Sequence, residues 1–172
     1  MKCQYRITKY DPAKRDEKGA YLLDEWTAFS DIGKEFAGVC LEEAEYLKAE
    51  SAYLGAVESF LKEARLSGLF LKGLERGRTK RLPSFLEEGQ LLSVKQCVAF
   101  ARLALRERAW GRLVIPGRAY VHFGWDYYMY IGLPVVCPSS IEAAENSGLF
   151  VEPFRSPYLR ARSNNSLQGR RP

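Results

Sequence analysis

Histidine is almost missing from this chain: His122 is the only one in 172 residues. The four cysteines, Cys3, Cys40, Cys97 and Cys137, are scattered and form no C-x-x-C pair. A zinc site therefore has few ligands to draw on, and neither a metal nor a cofactor is expected. Isolated cysteines of this kind are expected as small core residues. Also absent are the G-x-S-x-G elbow, the G-x-x-x-x-G-K-[ST] phosphate loop and the G-x-G-x-x-G fingerprint, which excludes the local signatures of acyl transfer and nucleotide binding. Long apolar runs are lacking too. The longest charge-free apolar stretch, 127–138, has 12 residues and contains prolines and a glycine, too short to cross a bilayer as a helix. The opening MKCQYRITKYDPAKR has no apolar run of the length a secretory signal needs. A cytoplasmic protein without membrane contact is the expectation.

What is present is an ordinary globular composition, 47% hydrophobic and 27% charged, long enough for one domain with a substantial core. The net charge of +5 suggests nucleic acid, but its distribution argues otherwise. Residues 154–172 carry Arg155, Arg160, Arg162, Arg170 and Arg171 and no acid, which leaves residues 1–153 at net zero. The domain is expected over 1–158, followed by a basic flexible tail over 159–172. Such a tail offers at most loose affinity for nucleic acid.

Periodicity predicts an α+β domain: a mainly antiparallel sheet with two main amphipathic helices, 41–64 and 94–109. CQYRITKY alternates as an opening strand, with Tyr5 and Ile7 on one face. YLLDEWTAF reads as a second strand in which Tyr21, Leu23 and Trp26 pack. Ser30 or Asp31 is an N-cap for a short helix. In helix 41–64, Tyr46, Leu47, Tyr53, Leu54, Val57, Phe60 and Leu61 gather on one side. Six glutamates against two lysines give it a net charge of −4, most of it on a solvated face that includes Glu42 and Glu45. Glu50 falls inside the apolar stripe instead. A carboxylate there needs a partner, since an unpaired buried charge costs several kcal/mol. Arg108, on the apolar side of the second helix, is the candidate, while Arg102 and Arg106 are expected to project outward. Ser93-Val94-Lys95-Gln96 fits a capping box, as does Ser139-Ser140-Ile141-Glu142.

The stretch AYVHFGWDYYMYI, 119–131, holds His122 among six aromatics. As one strand it turns Val121, Phe123, Trp125, Tyr127, Met129 and Ile131 to the core, and Tyr120, His122, Asp126, Tyr128 and Tyr130 to an aromatic-polar face. His122 and Asp126 are about 13 Å apart on a regular strand, so they pair only if Gly124 bends the chain. The polar face is either covered and hydrogen-bonded or a protein-binding surface, where tyrosine and tryptophan are enriched.

YRITKYDPAKRDEKGAYLLDEWTAFSDIG, YVHFGWDYYMYIG and GLFVEPFRSPY, about a third of the chain, resemble small bacterial proteins, mostly uncharacterised, that include immunity-type proteins neutralising a cognate toxin. The resemblance implies a non-catalytic role: binding a cognate protein toxin and blocking it. It supplies no binding residues. Those proposed from the residues themselves are Trp26, Glu42, Glu45, Tyr120, Tyr128 and Tyr130. The alternative is a small hydrolase or RNA-processing enzyme that uses His122 with Asp126 or Glu50 as its carboxylate partner.

Overall fold

The computed structural model describes residues 1–77, 81–124 and 126–160. In chain order its elements are β1 (Cys3–Thr8), β2 (Glu35–Phe36), β3 (Val39–Cys40), α1 (Glu43–Glu63), β4 (Gly68–Arg76), β5 (Leu91–Ser93), α2 (Val94–Leu105), β6 (Ala109–Ile115), β7 (Ala119–Phe123), β8 (Met129–Leu133), α3 (Pro138–Asn146) and β9 (Phe150–Pro153). The class is α+β, as the periodicity predicts. Seven strands form one sheet in the order β5-β4-β6-β7-β8-β1-β9, with every pair antiparallel, and β2 and β3 form a separate hairpin that leads into α1. Among the described residues no helix is long and apolar enough to cross a membrane.

Strand parity sorts the sheet's side chains into two faces. Ile7, Leu69, Leu71, Leu113, Val121, Met129, Ile131 and Leu133 are fully buried and belong to one continuous core with Tyr46, Val57, Phe60, Leu61, Phe100 and Ala101 of the helices. Two glycines allow close approach within this frame. An ideal Cβ on Gly111 would sit 3.2 Å from the Phe100 ring of α2, and one on Gly132 would sit 2.2 Å from the Tyr120 ring on the other face. That second face is covered by the chain after β9. Phe154 packs on Tyr130, Tyr158 packs on both His122 and Tyr130, and Pro157–Arg160 form a 3-10 turn. This turn runs two residues past 158, and 161–172 lie outside the described residues.

Several local expectations fail for physical reasons. Residues 21–29 form no strand; only Tyr21 bridges back to Arg15, and Leu22 and Leu23 are exposed. The predicted short helix is a single 3-10 turn, Phe29–Asp31. The Asp31 carboxylate folds back to accept the N–H groups of Thr27 and Ala28, both at 2.9 Å, and an ion pair from Lys34 at 2.8 Å. The capping box at Ser93 and Gln96 is present, but α2 stops at Leu105, short of 109. Glu107 takes a left-handed φ of 56° and Ala109 already starts β6. Nor does Ser139 cap α3. The Glu63 carboxylate at the end of α1 accepts the Ser139 and Ser140 N–H groups at 3.3 and 2.7 Å and the Ser140 hydroxyl at 2.6 Å. One side chain thus caps a second helix and locks α1 to α3. Leu47 escapes the apolar stripe and is 38% exposed; Cys40 is exposed, whereas Cys97 and Cys137 are core. Burial pushes those two thiols up to about 11, so neither is an activated nucleophile.

Candidate functional site

The stretch 119–131 is two strands. Gly124 begins a reversal closed by its own N–H donating to the Tyr128 carbonyl at 2.6 Å, with Asp126 and Tyr127 both at positive φ. The bend keeps parity: Val121, Met129 and Ile131 still face the core, and Tyr120, His122 and Tyr130 the opposite side; Trp125, expected in the core, lies outside the described residues. It does not join His122 to Asp126. His122 lines a cavity of about 240 Å³ beside Tyr120 and Tyr158. Asp126 is exposed and lines a different one, about 160 Å³, with Glu107 and Tyr127.

Glu50 lies at neither cavity. It is buried on α1, and its oxygens accept the Nε and Nη2 groups of Arg106 at 2.5 and 2.9 Å and the Tyr46 hydroxyl at 3.2 Å. Arg102 adds a further contact at 3.4 Å. The partner is therefore not Arg108. Where α2 ends, Arg106 turns back across α1, and Arg102, one turn earlier, follows it. The Tyr46 hydroxyl in turn accepts from the Tyr127 hydroxyl at 2.6 Å, and the Tyr53 hydroxyl donates to the Tyr127 carbonyl at 2.6 Å. Phe29 and Trp26 pack edge-on or tilted against these rings. Burial, then the neighbouring Tyr46 hydroxyl, pushes the Tyr127 phenol far above its ordinary range. The cluster holds its three phenol protons, on Tyr46, Tyr53 and Tyr127, firmly. It joins α1, α2 and the β7–β8 loop, and it leaves Glu50 no free oxygen edge for proton transfer.

On the other face of the sheet, His122 is 2% exposed. Its ring stacks on Tyr120 at 4.4 Å, and its Nδ1 meets the Ser156 Oγ at 2.8 Å. Burial first, and the Arg112 charge second, lower its pKa to about 4. Two strands along the same face, beyond Tyr130, the Arg6 guanidinium makes two bonds of 3.1 Å to Glu152, and Arg15 adds bonds of 2.9 and 2.8 Å. These arginines hold the Glu152 carboxyl below the usual carboxylate range although burial works the other way.

Of the proposed binding residues, Trp26, Tyr120 and Tyr130 are buried, Tyr128 is half-buried against Tyr10, and Glu42 and Glu45 are exposed. The aromatic-polar face is thus the covered one. Lys72, Arg112 and Ser156 were missed by sequence reasoning, because only strand register brings Lys72 and Arg112 toward His122, and only the fold-back of the chain after β9 brings Ser156. Comparison with protein-family models, with curated proteins and with solved structures returned no match.

Proposed function

We propose that this chain is a non-catalytic protein-binding module of the immunity type, which binds a cognate protein toxin and blocks it. The observation that carries this reading is the exposed start of α1. Glu42, Glu43 and Glu45 are exposed and form no ion pair among the described residues. They stand on the same short stretch of chain as Leu47, 38% exposed, and Val39 of the β2–β3 hairpin, 65% exposed. Large apolar groups beside unpaired charge combine a desolvated contact with electrostatic steering. A basic toxin surface is the complementary partner.

The enzyme reading has weaker support. Its acid–base candidates are dispersed: Glu50 is engaged by two arginines, His122 lies across the sheet from it, and Asp126 lines a separate cavity. General acid–base work needs groups within hydrogen-bond reach of one substrate proton.

Affinity capture with the tagged chain from its native cells is expected to recover one toxin-like polypeptide near stoichiometry. Replacing Glu42, Glu43 and Glu45 together by lysine is expected to slow association with that polypeptide roughly tenfold or more at low salt, with the fold unchanged. An unchanged association rate overturns the assigned surface. A substrate turned over by the wild type but not by folded His122→Gln returns the enzyme reading.

A further inference from the structure

Antiparallel register lays one row of side chains across the covered face of the sheet: Lys72, Arg112, His122, Tyr130, Arg6 and Glu152 are successive cross-strand partners from β4 to β9. The Arg6 end is neutralised by Glu152. The other end is neutralised only in part. Directly opposed side chains have Cβ atoms about 4.5–5.5 Å apart, and like charges in that position destabilise a sheet. Lys72 and Arg112 are such a pair, with His122 next in line. Compensation is thin. Glu88 lies 4.0 Å from the Lys72 Nζ, and one of its oxygens is taken by the Leu74 N–H at 2.9 Å. The half-buried Arg112 has no hydrogen bond and no close ion pair among the described residues; it shares the field of the same Glu88, so one carboxylate serves two cations.

Lys72, Arg112 and His122 line the same cavity of about 240 Å³, and no described carboxylate lines it. The proton positions follow from Ser156. Its Oγ accepts the Tyr158 N–H at 3.3 Å and lies 2.8 Å from the His122 Nδ1, the one acceptor in reach of its own hydroxyl proton among the described residues; we assign that proton to the bond with Nδ1. The neutral imidazole then carries its proton on Nε2, which has no partner among the described residues. The wall therefore presents a guanidinium, an ammonium and an imidazole N–H, all donors.

We propose that this cavity is a binding site for a phosphate group, with Arg112 as its principal ligand and Lys72 and His122 as supporting donors. A guanidinium fork matches two phosphate oxygens at once, and the remaining oxygens accept from an ammonium and a ring N–H. The bound anion supplies the counter-charge that the row lacks. The site lies on a different face from the acidic start of α1 and does not depend on its role.

Because His122 is the only histidine, its ring resonances report this cavity alone. The full chain is titrated with inorganic phosphate at constant ionic strength, with chloride as the balancing ion. A saturable shift of the His122 resonances is expected. In Arg112→Gln the affinity is expected to fall roughly tenfold or more, as loss of a charge-assisted bond implies, and in Lys72→Gln by a smaller factor. A parallel titration with glycerol 3-phosphate separates the two sources of the group: tighter binding of the ester assigns a phosphomonoester, and tighter binding of inorganic phosphate assigns the free ion. No saturable shift, or a response equal to that of chloride, overturns the site. So does unchanged affinity in a folded Arg112→Gln. If that variant does not fold, unchanged affinity in Lys72→Gln, altered only at an exposed position, overturns it instead.

Discussion

Replacing Glu50 by glutamine keeps the shape of the side chain and removes its charge, so the change isolates the buried ion pair. The carboxylate is 4% exposed and faces Arg106, 25% exposed, and Arg102, 54% exposed. Breaking a buried pair by removing one partner costs about 3–5 kcal/mol. Arg106 retains a solvent path and Arg102 is largely hydrated, so both cations recover part of their solvation in the variant. Glutamine also keeps an acceptor oxygen for one arginine. The expected loss is therefore about 2–3 kcal/mol, made up mostly of the charge-assisted bonds to Arg106. For a chain of this length that lowers the unfolding midpoint by roughly 5–10 °C. Urea denaturation followed by tryptophan fluorescence measures the free energy, and an unchanged slope keeps the comparison two-state. Arg106→Gln and the double variant complete a cycle, in which a coupling above about 1 kcal/mol is expected. A Glu50→Gln protein within about 0.5 kcal/mol of wild type refutes the reasoning, because that is the range of ordinary surface substitutions. Partner capture is expected to survive the change, since Glu50 is not on the proposed contact surface.

Two further outcomes follow from the covered face of the sheet. Gly132→Ala places a methyl group 2.2 Å from a Tyr120 ring carbon. That ring is held by stacking on His122 and by its hydroxyl, which donates to the Gln4 Oε1 at 3.1 Å, so overpacking is expected to cost about 1–3 kcal/mol in thermal unfolding; an unshifted midpoint shows the ring to be free to move. His122 has a folded pKa of about 4 against an ordinary 6.5. A depressed folded pKa means stability that is fully present above pH 6.5 and is lost as pH falls toward 4, by up to about 3 kcal/mol. Denaturation between pH 7 and 5, compared with His122→Gln, is expected to show a decline in the wild type and a flatter profile in the variant; parallel profiles reject it.

The features legible in the sequence share one property: their cause lies within a few residues. The 3.6-residue pattern places α1 within two residues of its observed ends and buries Glu50, and the Ser93–Gln96 box starts α2 where it is observed. Period-two alternation assigns Val121 and Ile131 to the core and Tyr120, His122 and Tyr130 to the other face. That assignment survives the hairpin at Gly124 because the reversal preserves parity. Misreadings arose where a side chain answers a distant group. Leu22 and Leu23 alternate like strand residues but have no neighbouring strand to pair with, and Arg106 reads as solvated until α1 lies beside it.

Alternation and helical period, which short-range sterics and burial impose, were thus determined by the sequence alone, and with them the α+β class. Tertiary structure decided who meets whom. Glu50 and Arg106 are 56 residues apart, Glu63 and Ser140 are 77 apart, and His122 and Ser156 are 34 apart. The row from Lys72 to Glu152 exists only once five strand pairings fix their registers. A slip of one residue in any pairing turns that strand's side chains to the other face. Strand register is a property of the packed sheet, and no segment carries it alone.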